Sequence, residues 1–325
     1  MKKSICLLVL IIFITSCMSD ANIKTDVTLV DINKLELIPV STTTEAADTP
    51  DRPKLDIDHK DDTFEPEGIT VNHSDFTVSE TKQNELTDIL KKYKFEASIY
   101  IIDIGTGMSL GYNADMKFTT ASTVKAGYAL YCFKEIAAGN AEFNDKMTYR
   151  EYHKTGGSGD TQNSEFGTVF TLKALLYRML YNSDNVAYYM MLDYFGYDGY
   201  NAMTRELGCE HEISKQEKWG NYSAHELGLI WQEIYNFKDT CEEGRLMWQY
   251  LTSNLYNELK DTLKYDVVAH KSGWNPTGYH DAGVVYGVRD YIVVIMTGYG
   301  KNYCLYELIR WVDEIMIEYN KYLGG

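Results

Sequence analysis

The sequence predicts an α+β domain: an antiparallel sheet built from strands at both ends of the folded region, covered by the terminal helices and standing beside a helical subdomain. Three observations carry this. A β-rich run, Ala97–Ile104, opens the region, and three more runs, Lys264–Lys271, Asp281–Val288 and Tyr291–Thr297, close it. The stretch between them is dominated by helical periodicity. Amphipathic runs at Glu80–Tyr93 and Leu305–Tyr322 bracket the whole.

The chain does not begin with the fold. Lys2 and Lys3 give a basic start, Ile5–Ile14 is a short apolar run, and Ile14-Thr-Ser-Cys17 follows. Such a run is too short to span a bilayer, so residues 1–16 read as an export signal. The residues before Cys17 resemble a bacterial lipobox. That implies cleavage before Cys17, lipidation of Cys17 and attachment to the outer face of the cytoplasmic membrane or another envelope membrane. Residues 17–76 read as an acidic tether, since four of the five prolines lie between Pro39 and Pro66 among nine acidic side chains from Glu45 to Glu67. Within it, Val27–Val40 is apolar enough to be a candidate strand. The hydrolase domain is then expected over residues 77–325.

Composition narrows the function. The formal charge is −16, with no basic stripe, which excludes nucleic acid as a partner. Cys6 belongs to the signal, and Cys132, Cys209, Cys241 and Cys304 are scattered without metal-ligand spacing. Export permits disulfides, and their pairing stays open; Cys132, inside an apolar helix pattern, reads as a buried thiol. The histidines are dispersed, so no metal site is expected, and no cofactor motif occurs. A monomer is expected.

Along the domain, Glu80–Tyr93 is a helix, Gly105-Thr-Gly107 a turn and Ser109–Tyr112 the returning strand. A long apolar helix runs from Ser122 to about Ala138 and stops at Gly139-Asn140. Leu172–Tyr181 and Val186–Tyr194 are helices, with Tyr188, Tyr189 and Tyr194 packing the helical part. Ser223–Tyr235 and Cys241–Leu255 are two more.

Three strings carry chemistry. In Ser122-Thr-Val-Lys125 the lysine returns to the serine's face one helical turn on. A serine hydroxyl needs an adjacent base, and a lysine among Val124, Ala126 and Ala129 is desolvated enough to become one. The Ser122 N–H, at a helix start, can face a developing oxyanion. Ser183-Asp184-Asn185 lies between two helices, where Asp184 suits a capping role. Lys271-Ser272-Gly273 follows a β-rich run. There a strand edge can dock a substrate, Lys271 and Ser272 can hold its carboxylate, and Gly273 allows close backbone approach.

Together, in this order, the strings resemble the S-x-x-K, S-D-N and K-T-G motifs of the class A β-lactamase-like and penicillin-binding serine hydrolases. The resemblance covers roughly residues 77–324. It implies a β-lactamase/D,D-peptidase-like fold and an acyl-enzyme on Ser122, with Lys125 and Ser183 moving protons. It also implies that Asn185, Lys271, Ser272 and Gly273 bind substrate, and that the Ser122 and Trp274 backbone N–H groups form the oxyanion hole. The substrate is a β-lactam or a D-alanyl peptide. Two look-alikes are set aside: Ser79-Glu-Thr-Lys82, a surface coincidence, and Lys154-Thr155-Gly156, which runs into the loop Gly157-Ser-Gly-Asp160. His280-Asp281 suggests part of a triad but is read as the start of a strand.

The chain departs from the family pattern in one place. The E-x-x-L-N string, whose glutamate activates the deacylating water, is absent, and the stretch from Cys209 to Asn221 is short. Glu210, Glu212 and Glu217 are its carboxylates, and Glu217 is the candidate base by position. Slow deacylation is therefore expected. A β-lactamase, a D-alanyl-D-alanine carboxypeptidase that binds penicillin, and a non-catalytic cell-wall-binding lipoprotein are the readings that remain.

Overall fold

The computed structural model describes residues 54–298, 300 and 303–325, and Pro53–Gly325 forms one compact unit. The export signal, Cys17 and the Val27–Val40 strand lie outside the described residues. In chain order the elements are β1 (Ile69–Asn72), α1 (Glu80–Tyr93), β2 (Ala97–Asp103), β3 (Ser109–Tyr112), β4 (Lys117–Thr119), α2 (Val124–Ala137), β5 (Lys146–Thr148) and β6 (Val169–Thr171). There follow α3 (Leu172–Tyr181), α4 (Asn185–Phe195), α5 (Asp198–Glu206), β7 (Asn221–Ser223), α6 (Ala224–Phe237), α7 (Glu242–Thr252) and α8 (Glu258–Leu263). The chain closes with β8 (Val268–Asn275), β9 (Gly278–Tyr286), β10 (Asp290–Thr297) and α9 (Cys304–Tyr322).

The main sheet has six strands in the order β1-β3-β2-β10-β9-β8, paired antiparallel throughout. Its central strands are buried on both faces, and their period-2 alternation feeds two cores. Ile99 and Ile101 of β2, with Val293 and Ile295 of β10, face a core filled by α1 through Leu86 and by α9 through Leu308, Trp311, Val312 and Ile315. Tyr100 and Ile102, with Ile292 and Val294, face the opposite core, where α2 and α6 contribute Val124, Tyr128, Leu130, Ile230 and Trp231. The α+β expectation holds, with the terminal helices on one face and the helical part on the other.

Caps follow the sequence signals. Ser79 accepts from the Lys82 N–H at the start of α1, and Lys94 ends it in the left-handed conformation. Ser223 and Glu226 form a reciprocal capping box on α6. The Ser79/Lys82 look-alike thus serves a helix start, with Lys82 paired to Glu85 and Glu314.

The domain boundary at residue 77 is corrected. Residues 69–72 add β1 to the sheet edge beside β3, and Leu55, His59 and Phe76 are buried. The acidic composition of this segment hid a short edge strand and the buried Asp62 carboxylate, which accepts hydrogen bonds from Tyr100, Ser109 and His73. The Lys264–Lys271 strand is also displaced: residues 268–275 pair with β9, so the Lys-Ser-Gly string lies within β8 rather than after it. Five short elements, β4, β5, β6, β7 and α8, are too brief for a period to show in sequence, and α5 is a further helix that the structure adds. Cys132 and Cys209 are buried free thiols, and Cys241 is a half-buried one.

Candidate active site

The three strings converge where the helical part meets the open edge of the sheet. Ser122 is the middle residue of a 3-10 turn, Ala121–Thr123, that leads into α2. The turn is fixed by Thr123 Oγ1 donating to the Thr120 carbonyl at 2.7 Å and by His280 Nε2 meeting the Thr119 carbonyl at 3.0 Å. Ala121 has a φ of +48° and Ser183 one of +57°, so residues in the sparsely populated left-handed region stand at both strings. Each costs on the order of 1–3 kcal/mol, which the surrounding packing must overcome.

Lys125 is fully buried under α4. Its Nζ donates to the Ser183 carbonyl at 2.5 Å, Ser183 Oγ at 3.3 Å and Asn185 Oδ1 at 2.7 Å. Burial pushes its pKa well below the ordinary lysine value, the charge on Lys271 pushes the same way, and Asp184 opposes both. Lys125 is therefore poised to surrender a proton. Asp184 is the N-cap of α4: its two carboxylate oxygens accept from the Ala187 and Thr161 N–H groups at 2.9 and 2.8 Å. Asn185 Nδ2 donates to the Gly156 carbonyl at 2.8 Å.

The Lys154-Thr155-Gly156 look-alike turns out to be the wall behind this string. Lys154 itself points its Nζ at the Phe166 ring. The following loop presses on α4, with Asn185 N–H donating to the Ser158 carbonyl at 3.0 Å. At Gly159, φ is +96° and an added Cβ would lie 2.3 Å from the Asp184 carboxyl carbon.

Strand β8 is an edge strand: among the described residues no further strand pairs with its outer side, where a ligand could add. Lys271 is buried there, its Nζ donates to the Ser272 carbonyl at 2.9 Å, and burial pushes its pKa down to about 8 against the pull of Asp281 and Glu258. Ser272 is buried and Trp274 is 55% exposed at the mouth. Gly273 approaches the 3-10 turn so closely that a Cβ would meet the Ser122 nitrogen at 2.5 Å and the Thr123 nitrogen at 2.8 Å. Backbone approach is what this glycine provides, and the surface approached is the Ser122 turn. His280 and Asp281 do not act together: His280 holds the Thr119 carbonyl and the Thr297 N–H, while Asp281 pairs with buried His270 and accepts from the Leu259 N–H.

The loop from Cys209 to Gly220 does not bring a carboxylate to Lys125. Glu210 pairs with Lys117 and Glu212 with Arg205. Glu217, the candidate deacylation base, is 46% exposed and accepts from Asn221 Nδ2 at 2.5 Å. The side chain this loop sets beside Lys125 is Trp219, its ring centre 5.2 Å from Nζ, with the Tyr188 ring at 5.9 Å. Three bonds pin the loop there: Tyr188 OH to the Lys218 carbonyl, Thr120 Oγ1 to the Trp219 carbonyl and Thr120 N–H to the Gly220 carbonyl. Sequence reasoning missed Trp219, since no motif marks it.

Known proteins similar to this chain include β-lactamases and PBP-A. Beta-lactamase ROB-1 of Haemophilus influenzae is 24% identical over 248 residues, covering 72% of this chain and 78% of its own. Among solved structures, PBP-A superposes with a TM-score of 0.66 at 20% identity, covering 72% of this chain and 96% of its own. A PBP-A variant in an acyl-enzyme complex with penicillin G gives 0.68 at 19%, covering 78% and 100%. The Beta-lactamase enzyme family matches residues 81–313, a span that takes in Ser122, Ser183 and Lys271 together. A match over that span, on a fold that gathers the three strings at one sheet edge, makes this chain a member of the β-lactamase enzyme family.

Proposed function

We propose that this serine hydrolase of the β-lactamase type acylates itself at Ser122 with β-lactams and releases the acyl group slowly. In this reading Lys125, once neutral, keeps two N–H donors for the Ser183 carbonyl and Asn185 Oδ1 and offers a lone pair to the Ser122 proton. The Ser122 oxygen bonds the lactam carbonyl carbon, whose oxygen is held by the Ser122 and Trp274 N–H groups. As the lactam C–N bond breaks, the proton passes from Lys125 through Ser183 Oγ to the leaving nitrogen. Lys271, as a cation, and Ser272 hold the substrate carboxylate, and Asn185 keeps its Oδ1 on Lys125 and offers its Nδ2 to the substrate's amide carbonyl.

The observation that carries the slow second step is Trp219, an apolar ring where a water and its base would be needed beside Lys125. A D,D-peptidase acting on D-alanyl peptides is the second reading, favoured by the open edge of β8, which suits an extended peptide. The reading includes an exported chain anchored through lipidated Cys17, and the apolar run followed by that cysteine supports it.

Two assays on the same preparation separate these outcomes. One follows hydrolysis of a chromogenic cephalosporin, the other release of D-alanine from a D-alanyl-D-alanine peptide. The proposal expects less than one cephalosporin turnover per minute after a stoichiometric burst. Sustained turnover of many per second would contradict it.

A further inference from the structure

On the N-terminal segment, two histidines and an aspartate spaced His59-x-x-Asp62-x10-His73 meet at one point. His59 Nδ1 lies 3.2 Å from Asp62 Oδ2, and His73 Nε2 lies 2.7 Å from Asp62 Oδ1. The three ligand-capable atoms all fall within 4.8 Å of one another. Ligand atoms about 2.0–2.2 Å from a tetrahedral zinc ion are separated by roughly 3.4 Å, so small shifts would seat an ion among them.

The surroundings are those of a built site. The side chains of His59 and Asp62 are 0% and 1% exposed, whereas that of His73 is 36% exposed and leaves a route in from solvent. Asp62 Oδ2 also accepts from Tyr100 OH at 2.8 Å and from Ser109 Oγ, two hydroxyls that orient the carboxylate from behind and would stay in place when an ion replaced the histidine donors. The His59 carbonyl is held by His225 Nε2 at 2.7 Å, which fixes the backbone that carries the first ligand. His59 Nε2 is buried without a hydrogen-bond partner. Coordination at Nδ1 would exchange one hydrogen bond, to a carboxylate already serving three other donors, for a stronger bond.

We propose that His59, Asp62 and His73 bind a divalent transition metal, zinc by its ligand chemistry, and that the ion clasps residues 54–76 to the sheet. Two imidazoles and one carboxylate suit zinc, and they leave one position for water. The site joins the segment before α1 to β2 through Tyr100 and to β3 through Ser109. A bound ion would therefore secure the edge strand β1 and add its binding free energy to folding. This inference does not depend on the acylation chemistry.

The test uses the full chain, stripped with a chelator, dialysed and titrated with zinc chloride in a calorimeter, with thermal melting in parallel. The expected result is one equivalent bound below about 10 µM and a melting temperature raised by several degrees. His73→Ala, a change at the exposed ligand that the fold can tolerate, should weaken binding at least tenfold. His211→Ala, at a half-buried histidine of the Cys209–Gly220 loop, should leave it unchanged. Cobalt in place of zinc should give the visible absorption of a tetrahedral nitrogen–oxygen site in the unaltered chain and lose it in His73→Ala. No binding below 100 µM zinc, or equal binding by the His73→Ala chain, would overturn the proposal and leave a hydrogen-bonded anchor only.

Discussion

At the scale of single residues, the site is a problem of two buried lysines. Lys271 must be charged to hold a carboxylate, and Lys125 must be neutral to take the Ser122 proton. Burial pushes Lys271 down to about 8, so it is a cation below that pH and loses its charge as pH rises through it. Lys125 is pushed well down by burial and by Lys271, which favours its neutral form. The rate of adduct formation at limiting β-lactam should therefore fall above about pH 8, approaching tenfold per unit. A pH series from 6 to 10 checks this, and a rate still climbing at pH 10 would contradict it. Lys125→Met should slow adduct formation by roughly 10²–10⁴-fold. Glu217→Gln should leave the lifetime of the adduct within twofold, because that carboxylate is exposed and bonded to Asn221. A markedly longer lifetime would restore Glu217 as the base.

At the scale of elements, the site depends on two close fits. Gly273→Ala would drive β8 from the 3-10 turn, and steady-state acylation should drop at least 100-fold while unfolding free energy falls by only about 1–3 kcal/mol. Equal loss of both would mean that the contact is merely structural. Asp184→Ala removes the cap of α4 and strands the Thr161 N–H, at a cost of about 2–3 kcal/mol measurable by denaturant unfolding. Much of this level was legible in the sequence, because long elements declare their period. The residues read as helix at Glu80–Tyr93 and Leu172–Tyr181, and as strand at Ser109–Tyr112, are those the structure assigns to α1, α3 and β3. The three strings were legible because the chemistry fixes their residue types. Trp219 was not, because its position depends on Tyr188 and Thr120 gripping the loop across long sequence separations. The His59, Asp62 and His73 cluster was hidden for the same reason: dispersed in sequence, it closes only when β1 joins the sheet.

At the scale of the whole molecule, the folded unit is larger than its periodic part. Residues 54–76 read as tether by charge and proline content, yet they bury Leu55, His59 and Phe76 and supply an edge strand. A chain starting at residue 77 should melt at least about 10 °C below one starting at 54, since it exposes that apolar surface and leaves Tyr100 and Ser109 without Asp62. Differential scanning calorimetry of the two chains reads the difference, and coincident melts would return the segment to the tether. Ser122, Lys125, Ser183 and Lys271 gather where α2 and α4 meet the sheet edge at β8, so the helical part and the sheet together support one chemical event. That event is the central claim, and intact-protein mass spectrometry with benzylpenicillin over a time course tests it most directly. The account predicts one adduct of the drug's mass that persists for many minutes and is absent in Ser122→Ala. No adduct on the unaltered chain, or the same adduct on Ser122→Ala, would contradict it.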